Sequence, residues 1–137
     1  MPADSKTKKT ILTLNNNKKN NDPTVLVTAY DYPLIGDSLG MTTLGHKTTI
    51  PVTMDNMIMS SEAVCRGAKN ALIIGDMPYM SYQQSNELAV ENAGRFIVAG
   101  CDMVKVEGAM TERIRAICDA GIMVMSHLGL TPHTRAK

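Results

Sequence analysis

From Thr24 onward, short apolar runs rich in β-branched residues alternate with stretches whose apolar residues recur every three or four positions. No other feature constrains the fold as much, because strand–helix–strand–helix order implies parallel strands with helices packed outside them. TVLVTA (Thr24–Ala29) is continuous, as a strand buried on both faces should be. In PVTMDNMIMSSEAVCRGA, Thr53 can cap a helix whose Met54, Met57, Ile58, Ser61, Val64 and Cys65 share one face, with Gly67 near its end. ALIIGD (Ala71–Asp76) reads as the next strand. SNELAVENAGRFIVAG follows as a helix with Ser85 as cap and Gly100 as stop. MVKVEG gives a strand over Met103–Glu107, and TERIRAICDAG a helix capped by Thr111 and ended by Gly121. IMVMSH is one more strand. The repeat suits a (β/α)8 barrel or an open doubly wound sheet, and no GxGxxG follows a strand to favour dinucleotide binding.

The polar residues gather where these strands end. LIGDSLGMTTLGH (Leu34–His46) stops an apolar run at Asp37-Ser38 and passes into a loop with two glycines. Asp76 ends a second strand, Lys105 and Glu107 close a third, and Ser126-His127 close a fourth. In parallel α/β folds the carboxyl ends of the strands lie on one face, which carries the chemistry. Each residue alone has a plainer reading: Asp37 as a turn former, Lys105 as a solvent-facing charge, His127 as a core histidine. Their coincidence at four strand ends points to one site. His46 and His133 read as loop and tail residues.

The chain of 137 residues is long enough for one domain with a real core. A net charge of +1 gives no electrostatic case for nucleic acid or an anionic membrane. No apolar run approaches the ~20 residues of a spanning helix. Cys65, Cys101 and Cys118 lack CxxC spacing, against a zinc site or a disulfide framework. The eleven methionines read as flexible core filler. Residues 1–22 are polar and rich in Lys and Asn, and are expected to form a flexible arm, with residues 23–137 as the folded domain. The apolar stretch of the arm is too short for a secretory signal, and its lack of Arg and its Asp4 and Asp22 speak against a mitochondrial address. Cytoplasm is the expected compartment, with the mitochondrion as the alternative.

Two aspartates and a glutamate at one rim repel each other unless a cation lies between them. An oxygen donor set without cysteine favours Mg²⁺ or a similar hard ion that retains waters. Such an ion suits a 2-oxo acid, which offers paired oxygens and develops enolate charge. Lys105 would face a substrate carboxylate, and His127 would offer a proton or hydrogen bond.

TAYDYP (Thr28–Pro33), GDSLGM (Gly36–Met41), GHKTTIPVT (Gly45–Thr53), DMPYM (Asp76–Met80), MVKVEG (Met103–Gly108) and HLGLTP (His127–Pro132) stand in the order of one family. From Thr24 to its end the chain resembles the ketopantoate hydroxymethyltransferases. The resemblance implies a (β/α)8 TIM barrel of the phosphoenolpyruvate-mutase type, assembled as a homodecamer. It also implies transfer of a hydroxymethyl group from 5,10-methylenetetrahydrofolate to 3-methyl-2-oxobutanoate, giving 2-dehydropantoate for pantothenate and coenzyme A. By motif, Asp37 and Asp76 correspond to the Mg²⁺ ligands, with Glu107 close by through water. Ser38 and Lys105 correspond to oxo-acid contacts, His127 to a second polar contact, and Tyr30 to part of the rim.

Three departures stand out. TAYDYP runs directly into LIGDSLG, where the family has a helix and the front of the second strand, and a parallel pair needs a crossover of about a dozen residues. An internal deletion is expected there. The chain ends at Lys137, whereas a full barrel needs ~250 residues, so a partial barrel without the family's catalytic glutamate is expected. No catalytic base is assignable. Ser126 stands where the family has glycine before HLGLTP. An open half-barrel exposes strand edges and apolar interior, which predicts poor stability, association and little activity for this polypeptide. The alternatives are an inactive fragment of the enzyme, or another Mg²⁺-dependent oxo-acid lyase or mutase of the same superfamily.

Overall fold

The computed structural model describes residues 10–16, 23–29, 33–68, 71–129, 131 and 133. The chain divides into two compact units, Met1–Tyr32 and Pro33–Lys137. In the first, β1 (Thr10–Asn16) and β2 (Pro23–Ala29) pair antiparallel, in register from Thr10 opposite Ala29 to Asn16 opposite Pro23. This corrects two expectations. TILTLNN, which falls within the anticipated polar arm, is a strand, and Thr24–Ala29 is not part of the parallel sheet. The physical reason lies in chain length. The run from Ala29 into Leu34 is too short for the crossover a parallel neighbour demands, whereas an antiparallel partner can be close in sequence. TILTL alternates β-branched residues with leucine, which suits that pairing. Residues 1–9 and 17–22 of the expected arm lie outside the described residues.

The second unit is a four-stranded parallel sheet with helices. Its strands are β3 (Leu34–Ile35), β4 (Ile74–Asp76), β5 (Met103–Glu107) and β6 (Met123–His127), adjacent in that order. One-turn helix α1 (Leu39–Thr42) and α2 (Met54–Gly67) link β3 to β4, α3 (Asn86–Val98) links β4 to β5, and α4 (Thr111–Asp119) links β5 to β6. The arrangement is α/β, as expected for a partial (β/α) barrel.

The helices begin where their caps put them. Thr53 Oγ1 accepts from the Asn56 N–H at 3.2 Å while Asn56 Oδ1 accepts from the Thr53 N–H at 3.1 Å, a reciprocal cap that satisfies two otherwise orphaned donors. Ser85 Oγ accepts from the Leu88 N–H at 3.1 Å. At α4 the expected cap is displaced: Thr111 is the first helical residue and Met110 precedes it, without a side-chain cap.

The predicted stripe on α2 faces inward. Met57 and Ser61 are fully buried, and Met54, Ile58, Val64 and Cys65 pack against the core. Phe96 of α3, Val104 and Val106 of β5 and Ile117 of α4 complete it. The helix-facing side of the sheet is tight. A Cβ at Gly75 would lie 2.2 Å from Phe96 Cδ1, so only glycine lets the α3 ring approach β4. Methionine serves two ends: Met57 and Met77 fill the core, whereas Met41, Met59, Met80 and Met123 are exposed.

Candidate active site

Strand side chains alternate between faces. On β5, Val104 and Val106 go to the core, which leaves Lys105 and Glu107 on the opposite face. Parallel register then decides their neighbours: Asp76 is the partner of Lys105 across β4 and β5, and Glu107 that of His127 across β5 and β6. Asp37 and Ser38 arrive from the turn after β3, which runs into α1. Gly40 in α1 is held against Val52, whose Cγ2 would lie 2.3 Å from an added Cβ. Leu34, Asp37, Ser38, Asp76, Lys105, Glu107 and His127 border one cleft of about 610 Å³. The site residues expected from the sequence are thus brought together, except Tyr30, which lies outside the described residues.

The cleft floor is a charge cluster with little exposure to solvent. Asp37, Asp76 and Glu107 are all buried, and Lys105 is only slightly exposed. Lys105 Nζ donates to Asp76 Oδ1 at 2.8 Å and lies 3.8 Å from Glu107 Oε1. The Asp37 N–H reaches Asp76 Oδ2 at 3.5 Å, which ties the turn to β4. Burial pushes the Asp76 carboxyl above the ordinary carboxylate range; the Lys105 charge pulls it down, without cancelling that effect, and the charge of Asp37 adds to the rise. Lys105 does not face open solvent; it neutralises two buried carboxylates.

Two further side chains hold this cluster, and the sequence marked neither. Tyr82, fully buried, accepts the Glu107 N–H on its hydroxyl oxygen at 2.9 Å, and burial pushes its own pKa up to about 12. His133, read from sequence as a tail residue, is buried: its Nε2 donates to Asp37 Oδ2 at 2.5 Å and its N–H to Glu107 Oε2 at 3.3 Å. Burial disfavours the imidazolium, but the hydrogen bond to Asp37 and the charges of Glu107, Asp37 and Asp76 outweigh it, so the pKa is raised. Ser126 Oγ donates to the Gly108 carbonyl at 2.9 Å, linking the ends of β6 and β5. Ser38 occupies the position before α1 without a side-chain cap bond, which leaves its hydroxyl for the cleft.

The donor set suits a hard cation. Its acidic members are carboxylates from neighbouring chain segments, two of them aspartates joined through a backbone N–H. Among the described residues no three His, Cys, Asp or Glu side chains converge as ready-made ligands.

Comparison with known proteins bears on the same residues. The sequence profile described as ketopantoate hydroxymethyltransferase matches residues 8–137. A 3-methyl-2-oxobutanoate hydroxymethyltransferase of Alkaliphilus metalliredigens is 50% identical, over 95% of this chain and 52% of the relative. Proteins of the same name from Nitrosopumilus maritimus and Aeropyrum pernix are 47% and 46% identical, over 92% and 96% of this chain and 50% and 52% of their own lengths. The chain therefore spans about half the length of these curated relatives. The match to the Aeropyrum pernix protein runs over 147 residues, more than the 137 of this chain, so that relative has residues within the matched region that this chain lacks. A parallel β/α sheet with an acidic cleft at its strand ends, a profile match from residue 8 onward and identities near one half agree: the chain belongs to the ketopantoate hydroxymethyltransferase family.

Proposed function

We propose that this chain carries the oxo-acid end of a 3-methyl-2-oxobutanoate hydroxymethyltransferase site, which takes its one-carbon unit from 5,10-methylenetetrahydrofolate and yields 2-dehydropantoate for pantothenate synthesis. The observation that carries the reading is the buried Asp37–Asp76–Lys105–Glu107 cluster on the cleft face of the sheet. Asp37 and Asp76 would hold Mg²⁺, with Glu107 beside it through water. Such an ion, when bound, supplies Lewis-acid polarisation of a 2-oxo group.

The chain's own residues account for the rest of the binding. Lys105, poised between two carboxylates, turns its ammonium to a substrate carboxylate at the cost of one short contact. The Ser38 hydroxyl and the His127 ring border the same cleft and offer hydrogen bonds to the oxo acid. Tyr82 and the β5 backbone fix Glu107, so the cluster is organised before substrate arrives. The expected assembly is a homo-oligomer, as in the family the chain resembles.

A second reading rests on the span of the match. The chain spans about half the length of its relatives, and none of the carboxylates in the cleft is assigned as the base that deprotonates the substrate. An assay of the purified chain with 3-methyl-2-oxobutanoate, 5,10-methylenetetrahydrofolate and Mg²⁺ decides between the two. Product that disappears in an Asp37→Ala, Asp76→Ala double variant establishes turnover by this chain. Binding of the oxo acid without product establishes a substrate-holding half that does not turn over alone. Absence of both refutes the proposal.

A further inference from the structure

Asp37 lies in a turn closed by the Gly40 N–H on its own carbonyl, and its side chain is held by His133. It follows β3, which pairs with β4 over only two residues, and its own N–H reaches Asp76 at the limit of a hydrogen bond. Backbone geometry alone does not aim its carboxylate. His133 does. Its Nε2–H meets Asp37 Oδ2 across 96 positions of sequence, its backbone N–H meets Glu107 Oε2, and its Nδ1 lies 3.5 Å from the same glutamate oxygen. The imidazole is almost wholly enclosed, with its side chain 1% exposed and the Tyr79 ring set edge-on 5.9 Å away. Nδ1 is buried and makes no hydrogen bond of good geometry. The ring thus commits one nitrogen to Asp37 and stands beside Glu107 with the other.

We infer that His133 is a positioning residue for the divalent cation: by holding Asp37 Oδ2 it fixes the direction of Oδ1, and by holding Glu107 it keeps that carboxylate beside Asp37. The inference rests on the cation reading given above. Ligating carboxylates depend on such outer hydrogen bonds, and losing one typically costs about 10–100-fold in metal affinity.

The test is Mn²⁺ binding, followed by electron paramagnetic resonance of the free ion, on the full chain and three variants. In His133→Gln the amide nitrogen reaches the Nε2 position, in His133→Asn it reaches only the Nδ1 position, and in His133→Leu both donors are lost. Metal-free melting curves are recorded for each. The expected result is affinity retained in His133→Gln and weakened about 10–100-fold in His133→Asn and His133→Leu. Equal affinity in all four proteins overturns the role of His133 while leaving the cation reading intact. Equal weakening in His133→Gln and His133→Asn also overturns it, since the loss would then not follow the Nε2 donor. No Mn²⁺ uptake by the unaltered chain overturns the cation reading and the role of His133 with it.

Discussion

Lys105 is the cation whose removal should be felt most. Its ammonium lies 2.8 Å from Asp76 and 3.8 Å from Glu107, with 11% of the side chain exposed against 4% and 5% for the two acids. At an effective dielectric of about 20, each contact represents roughly 4–6 kcal/mol of Coulomb attraction. Most of that offsets the desolvation of the three groups. Replacing Lys105 with methionine keeps the volume of the stem but leaves two buried carboxylates without their common cation. Breaking a buried pair in this way costs about 3–5 kcal/mol, and the slight exposure of Lys105 places the expected loss near the lower end, about 3 kcal/mol at neutral pH.

The loss must also depend on pH, with a definite sign. Asp76 has a folded-state pKa above its unfolded value because burial disfavours its charge. A raised carboxyl contributes stability that is fully present below the unfolded pKa, near 3.8, and lost as pH rises through the folded pKa. Removing Lys105 takes away the main influence that pulls this pKa down, so the folded value moves higher still. The deficit of Lys105→Met relative to the unaltered chain should therefore be full at pH 7 and shrink as Asp76 takes up its proton. Urea unfolding followed by far-ultraviolet circular dichroism, from pH 7 down to pH 4, measures it. A deficit below about 1 kcal/mol at pH 7, the range of an exposed pair, refutes the buried-cluster argument. So does one that does not change along the series.

Three other perturbations follow from single contacts. Gly75→Ala forces a Cβ into the Phe96 ring and should cost about 1–3 kcal/mol or more, seen as a lower melting temperature; an unchanged melt would mean that α3 is not packed on β4 as described. Tyr82→Phe removes the acceptor for the buried Glu107 N–H and should cost about 1–3 kcal/mol, with faster hydrogen exchange at the Glu107 amide as its local signature. Unchanged exchange there would exclude Tyr82 as the partner. Thr53→Ala should destabilise by about 1 kcal/mol in urea unfolding while Thr53→Ser does not, and equal losses would show that the cap is not what matters.

Much of this architecture is legible in the sequence because it is local. Thr53 and Ser85 announce their helices through side chains that bond three residues on, and the α2 stripe repeats at helical spacing. The gathering of Asp37, Ser38, Asp76, Lys105, Glu107 and His127 is legible too, since strand ends in a parallel sheet share a rim. What escapes is long-range or a matter of partner choice. Thr24–Ala29 has the composition of a strand, but composition does not say whether its neighbour is β1 or β4. His133 lies past the last periodic run of the sequence, and its meaning comes wholly from Asp37 and Glu107. Tyr82 sits in the segment between β4 and α3, and nothing in its neighbours indicates that its oxygen meets the backbone of β5.

The pairing of Asp76 with Lys105 and of Glu107 with His127 is a matter of whole residues. A strand slipped by one position would send Lys105 to the helices and Val104 to the cleft, so core and site would fail together. Length changes inside β4, β5 or β6 are therefore forbidden twice over, whereas those falling between elements leave the count untouched. The chain lacks residues that a relative carries within the matched region, and its acidic cleft is nonetheless in order. For engineering, the loops that lead into these three strands, at the end away from the cleft, are the places where sequence can be cut or inserted, and the strands themselves behave as an indivisible reading frame.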